Sequence, residues 1–93
     1  MKKYKFKMIS DPGHAWLEVP LAIMESLGIA SDITGYSYVK DGMIYLEEDS
    51  DFSTFMAAAR KKKIKVTIEE VYQDPSPIRG YRRYQLPVRI VLL

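Results

Sequence analysis

From Lys3 to Ile9 the chain alternates, with Tyr4, Phe6 and Met8 on one side and Lys3, Lys5 and Lys7 on the other. A period of two puts these sets on opposite faces of a half-buried strand. The same period returns where Ile64, Val66 and Ile68 alternate with Lys65, Thr67 and Glu69. Between these strands, Phe52, Phe55, Met56 and Ala59 fall at helical spacing and predict the buried stripe of an amphipathic helix. Ser50 or Asp51 is the expected cap of that helix. Arg60, Lys61, Lys62 and Lys63 stand at its other end, where the helix dipole favours positive charge.

Turn residues divide the rest. Asp11-Pro12-Gly13 predicts a turn, and His14 to Val19 a second short strand, with Trp16 on one face and Leu17 and Val19 on the other. Pro20 suits a first helical position, and Gly28 suits the left-handed residue past a helix end. A helix over about 20–27 follows, with Ile23, Met24 and Leu27 buried and Ile29 folding back on Met24. Residues 30–34 read as a loop and 36–48 as a hairpin. Asp41-Gly42 is a preferred pair for a two-residue type I′ turn. It sets Lys40 opposite Met43, Val39 opposite Ile44, Tyr38 opposite Tyr45 and Ser37 opposite Leu46. One face then carries Val39, Ile44 and Leu46, and the other Tyr36, Tyr38, Met43 and Tyr45.

These elements predict a small two-layer α+β domain. Its order is β-β-α-β-β-α-β, with an antiparallel sheet of four or five strands and two short helices. Residues 1–72 form the compact part. Residues 73–93 are an extension, first basic and aromatic and then apolar, packed on the same domain. The apolar end Val88–Leu93 fits a last strand, a segment that pairs with a partner, or a tail tucked into the core.

At 93 residues the chain is one domain, and 47% apolar with 28% charged residues is a globular composition, not a disordered one. The absence of cysteine excludes disulfides and thiolate zinc sites. The basic N-terminus lacks the apolar segment of a signal peptide, and no apolar run is long enough to span a bilayer. A cytoplasmic protein without a membrane association is expected. The net charge of +2 conceals a polarity. Glu47, Glu48, Asp49 and Asp51 make an acidic elbow, whereas Arg79, Arg82, Arg83 and Arg89 follow the last acid.

Candidate chemistry is sparse. His14, beside Asp11 and Trp16, is the single histidine of the chain, and a hydrogen bond from its ring to the Asp11 turn is a simpler role than general base. The acidic elbow lacks the glycine and closing glutamate of a calcium loop, so helix capping accounts for it and no metal or other cofactor is expected. No pair of titratable groups is spaced as an active site, and no enzymatic activity is expected. The main candidate surface is Tyr36, Tyr38, Met43 and Tyr45, with His14 and Trp16. Left uncovered, it would anchor a protein interface; otherwise it lies under a helix or the tail. Arg79, Tyr81, Arg82, Arg83 and Tyr84 interleave guanidinium and aromatic groups, the footprint of a nucleic-acid contact. Pairing of these arginines with Glu47, Glu48 and Asp49, within the chain or across a dimer, is the expected alternative.

Two blocks carry a resemblance. Asp11-Pro12-Gly13-His14-Ala15-Trp16-Leu17-Glu18-Val19-Pro20 and Tyr45-Leu46-Glu47-Glu48-Asp49-Ser50-Asp51 resemble those of a family of short uncharacterised proteins of bacteria, plasmids and phages. The likeness runs from about Tyr4 to Tyr84, and the apolar extension beyond Leu86 departs from it. The resemblance implies a mobile-element or phage context and nothing catalytic. The function expected is a non-enzymatic protein-interaction module, with an accessory factor acting on a host component as one form of it, and another protein or a second copy as partner. Nucleic-acid binding through the Arg and Tyr segment and the tyrosine face is the alternative. A steep fall of affinity with salt would distinguish the second from the first.

Overall fold

The computed structural model describes residues 2–86. Strand β1 (Lys3–Ser10) turns into β2 (Ala15–Pro20), and helix α1 (Leu21–Ser26) follows at once. A 3-10 turn at Ala30–Asp32 leads to the hairpin of β3 (Tyr38–Lys40) and β4 (Met43–Glu47). Helix α2 (Asp51–Lys61), strand β5 (Lys65–Tyr72), a 3-10 turn at Pro77–Gly80 and the short strand β6 (Arg82–Arg83) complete the chain. This is the expected α+β order. The expected apolar end Val88–Leu93 lies outside the described residues.

The sheet has six strands in the order β5-β1-β2-β4-β3-β6, so it is larger than the four or five expected. It is also mixed: β5 pairs with β1 in parallel, Phe6 beside Ile68, whereas the other pairs are antiparallel. The cause is the crossover. Helix α2 carries the chain back along one face of the sheet, so β5 must run in the same direction as β4, and β1 shares that direction.

Local signals set the turns. Asp41 and Gly42 both have positive φ, 52° and 79°, as a type I′ turn demands. The register is the expected one, with Lys40 opposite Met43 and Tyr38 opposite Tyr45. Gly28 ends α1 at φ 70°, and the Ile29 N–H returns to the Met24 carbonyl at 3.3 Å.

The main core lies between the helices and one face of the sheet. Phe6, Leu17, Val19, Ile44 and Leu46 meet Met24 and Leu27 there, along with Phe55 from the α2 stripe. A second cluster sits on the opposite face, where Ile9, Trp16 and Tyr45 are sealed by Ile78 with Tyr38, Met43, Val71 and Tyr81 around them. The chain leaves β5 at one edge of the sheet and joins it again as β6 at the other. The connecting residues cross the second face, and Ile78 is 1% exposed against it. Among the described residues no helix is long and apolar enough to cross a membrane.

Candidate functional site

The crossing segment makes a cleft of about 460 Å³ on the second face, lined by His14, Trp16, Tyr36, Tyr38, Glu47, Asp49, Ser50, Arg79 and Arg83. Sheet pairing brings these residues together. Trp16 on β2 stands opposite Glu47 on β4, and Tyr38 on β3 stands opposite Arg83 on β6. The rings of Trp16 and Tyr38 meet edge to face at 6.2 Å, and His14 tilts against Trp16 at 6.0 Å.

Two guanidinium groups lie on this aromatic floor. Arg79 Cζ is 5.4 Å from the Trp16 ring centre, and Arg83 Cζ is 5.5 Å from that of Tyr38. Each is fixed from a second side. Arg79 donates from Nε and Nη2 to the Asp11 carboxylate at 2.6 and 3.0 Å. Arg83 Nη1 donates to the Gly35 carbonyl at 3.0 Å. Gly13 gives the Arg79 head its room, because a Cβ there would stand 3.1 Å from Nη2. Held in this way, both side chains keep donors free while losing little rotamer freedom on binding.

The lining also carries carboxylates, and these are partly spent. Glu47 accepts the backbone N–H groups of Asp49, Ser50 and Asp51 at 2.9, 2.5 and 3.1 Å, so its charge is met by the start of α2. Ser50 makes no side-chain cap, which corrects the capping expected of it. Asp51 turns inward instead and is fully buried. It accepts from Thr34 N–H at 3.1 Å, Thr34 Oγ1 at 2.7 Å and Ser37 Oγ at 2.6 Å. Ser37 in turn accepts the Glu47 N–H at 3.0 Å, and its carbonyl receives the Tyr84 N–H at 2.8 Å. Since Ser37 is used this way, it does not extend the hairpin opposite Leu46.

Several expected surface residues are core residues. Trp16 is 3% exposed, Tyr45 7% and Tyr84 3%. Tyr45 lies beneath Ile78 and Tyr81, whose ring is 5.2 Å away, and burial with the neighbouring Glu18 carboxylate pushes its phenol up. Tyr84 packs into the main core and donates its hydroxyl to the Ala30 carbonyl, and burial raises its phenol as well. Met43 and Tyr81 are half-buried in the second cluster and do not line the cleft. Tyr45, Met43, Tyr81 and Tyr84 are therefore removed from the free surfaces proposed for them, and Trp16 offers the cleft little of its surface. Tyr36, 71% exposed, and half-buried Tyr38 remain, with His14, Arg79 and Arg83. Arg82 is exposed on β6, outside the cleft.

The expected partners of the arginines are also corrected. Among the described residues the ion pairs are Arg79 with Asp11 and a looser Lys5 with Glu69 at 3.9 Å, and none joins an arginine to the acidic elbow. The Asp11 turn is tied by its own carboxylate, which accepts the Gly13 and His14 N–H groups, and not by the His14 ring. Among the described residues no three His, Asp or Glu side chains gather as metal ligands. By sequence Glu47, Asp49 and Ser50 are an acidic elbow, a helix cap and expected partners for the arginines, not lining of an aromatic cleft. Their place in the cleft follows once β2 is set beside β4, which periodicity alone does not decide. Comparison with protein families, with characterised proteins and with solved structures finds no match to this chain.

Proposed function

We propose that the protein is a non-enzymatic binding module whose cleft takes a short segment of another protein. The observation that carries this reading is the convergence of Trp16, Tyr36, Tyr38, Arg79 and Arg83 around one concavity, with Tyr36 standing free beside it. Trp, Tyr and Arg are the residues that dominate binding energy at protein interfaces, most of all when clustered and held rigid. The lining carries both signs, with Arg79 and Arg83 as its cations and Glu47 and Asp49 as its carboxylates. The occupant is thus a peptide segment that sets an apolar or aromatic side chain on the rings, with a carboxylate toward Arg83 and a basic group toward Asp49. The likeness of two sequence blocks to short plasmid and phage proteins supports an accessory role on a host component.

Selection from a displayed random-peptide library on the immobilised protein tests this. Recovered peptides should carry that mixed-charge aromatic pattern and bind Tyr36→Ala and Arg83→Ala at least about tenfold more weakly, as loss of a hot-spot side chain implies. Lys3→Ala, on the far strand, should bind as the parent does. Peptides indifferent to Tyr36 and Arg83, or no peptide at all, would reject the reading.

A second reading rests on a specific placement. Arg83, exposed on β6 and bonded to the Gly35 carbonyl, lies next to the free ring of Tyr36 in the cleft lining, a combination suited to single-stranded nucleic acid. The carboxylates of Glu47 and Asp49 in the same cleft weigh against it. Retention on a polynucleotide column that falls steeply with salt and is lost in Arg82→Ala/Arg83→Ala would favour this second reading.

A further inference from the structure

We propose that two copies of this chain join through the open edge of β5, in an antiparallel pairing centred on Thr67. The two edges of the sheet are unlike. Strand β6 is two residues long, and both are exposed arginines, which blunts it as a template. Strand β5 is eight residues long, and among the described residues no strand lies outside it. The N–H of Lys65 donates to Lys2 and that of Gln73 to Ser10, so the odd-numbered residues direct their backbone groups at β1. Strand alternation then directs those of Val66, Ile68 and Glu70 outward, where none of the described residues supplies a strand.

The side chains choose the mate and the register. In an isologous pair centred on Thr67, Val66 of one copy exchanges hydrogen bonds with Ile68 of the second copy, and each does so twice by symmetry. Both residues are half-buried and face the helix side, so pairing extends the main core across the join. On the other face Lys65 stands opposite Glu69 of the second copy, again twice, at the close spacing of a non-hydrogen-bonded pair. Neighbouring registers lose this match. Centring on Ile68 sets Val66 against Glu70, and centring on Glu69 sets that carboxylate against its own copy. Among the described residues Glu69 meets one cation, the Lys5 ammonium at 3.9 Å, a loose contact that leaves room for a second. Tyr72, 64% exposed at the strand end, gains cover from the residues before β5 of the second copy.

Sedimentation equilibrium of the whole chain over rising concentration tests the pairing. The parent should form dimers. Glu69→Lys turns both cross-strand attractions into repulsions and should raise the dissociation constant about tenfold or more. The exchanged variant Lys65→Glu/Glu69→Lys restores opposite charges and should recover dimerisation to within about threefold of the parent. Circular dichroism establishes that each variant is folded; Lys5 and Glu69 are exposed, so losing their contact costs the monomer little. A parent that stays monomeric to millimolar concentration overturns the proposal. So does a dimer indifferent to Glu69→Lys, or an exchanged variant that fails to recover.

Discussion

Arg79 and Asp11, 68 positions apart in sequence, are bound through two parallel hydrogen bonds, Nε to Oδ2 and Nη2 to Oδ1. The pair fastens the segment that crosses the second face to the first turn of the chain. The Asp11 side chain is 5% exposed and also accepts two backbone N–H groups, while that of Arg79 is 48% exposed. The guanidinium is the main cause that holds the Asp11 carboxyl well below the usual carboxylate range. Between the ordinary value of about 3.9 and that lower native value, the unfolded chain binds more protons than the folded one. The contribution to stability is therefore present above about pH 4 and lost as the pH falls further. Thermal melting of the parent and of Arg79→Gln should differ clearly at neutral pH and converge in strong acid. A constant difference would contradict this.

Tyr45 and Tyr84 act at the other extreme. Burial raises both phenols, so in alkali the unfolded chain releases its protons first, near the ordinary tyrosine value of about 10. Their contribution is complete below that pH and disappears as it rises toward the native values. Of seven tyrosines, these two should ionise only as the protein unfolds, seen as a late ultraviolet step that coincides with loss of circular dichroism.

Asp51 carries no cation partner among its hydrogen bonds, yet it is fully buried at the start of α2. Asp51→Ala would strand the Thr34 and Ser37 donors and should cost about 3 kcal/mol, as for bonds to a charged group. Ser37→Ala should cost about 1–2 kcal/mol, and the double variant less than the sum, since both act on one network. Urea denaturation of the three variants measures this.

Ile78 is the apolar anchor of the crossing segment. Its truncation in Ile78→Ala should cost about 2–4 kcal/mol. It should also expose Trp16, the single tryptophan, and shift its emission to the red under native conditions. An unchanged spectrum would mean that the segment does not cover this face.

Much of the frame is legible in the sequence. Asp41-Gly42 fixes the phase of its strands because a type I′ turn allows one pairing, and the Phe55 stripe fixes the inner face of α2. What escapes pattern reading depends on distant partners. The parallel pairing of β1 and β5 is a matter of strand order, and both strands show the same alternation whichever neighbour they take. Residues 73–81, rich in proline and turn residues, carry no period that would reveal Ile78 as a core residue. Asp51 occupies a capping position by sequence, and only the Thr34 and Ser37 donors from another loop turn it inward. The cleft itself is half legible: its aromatic and arginine residues stand out in the sequence, but as two separate surfaces, since nothing local to Arg79 points to Trp16.

On the proposed function, a partner segment binds in the concavity between Tyr36 and Arg83. Backbone amide shifts of the labelled protein, followed while a selected peptide is added, test it most directly. Saturable changes should concentrate at His14, Trp16, Tyr36, Tyr38, Asp49, Ser50, Arg79 and Arg83. Changes confined to α2, to β5 or to the outer face of α1 would contradict it.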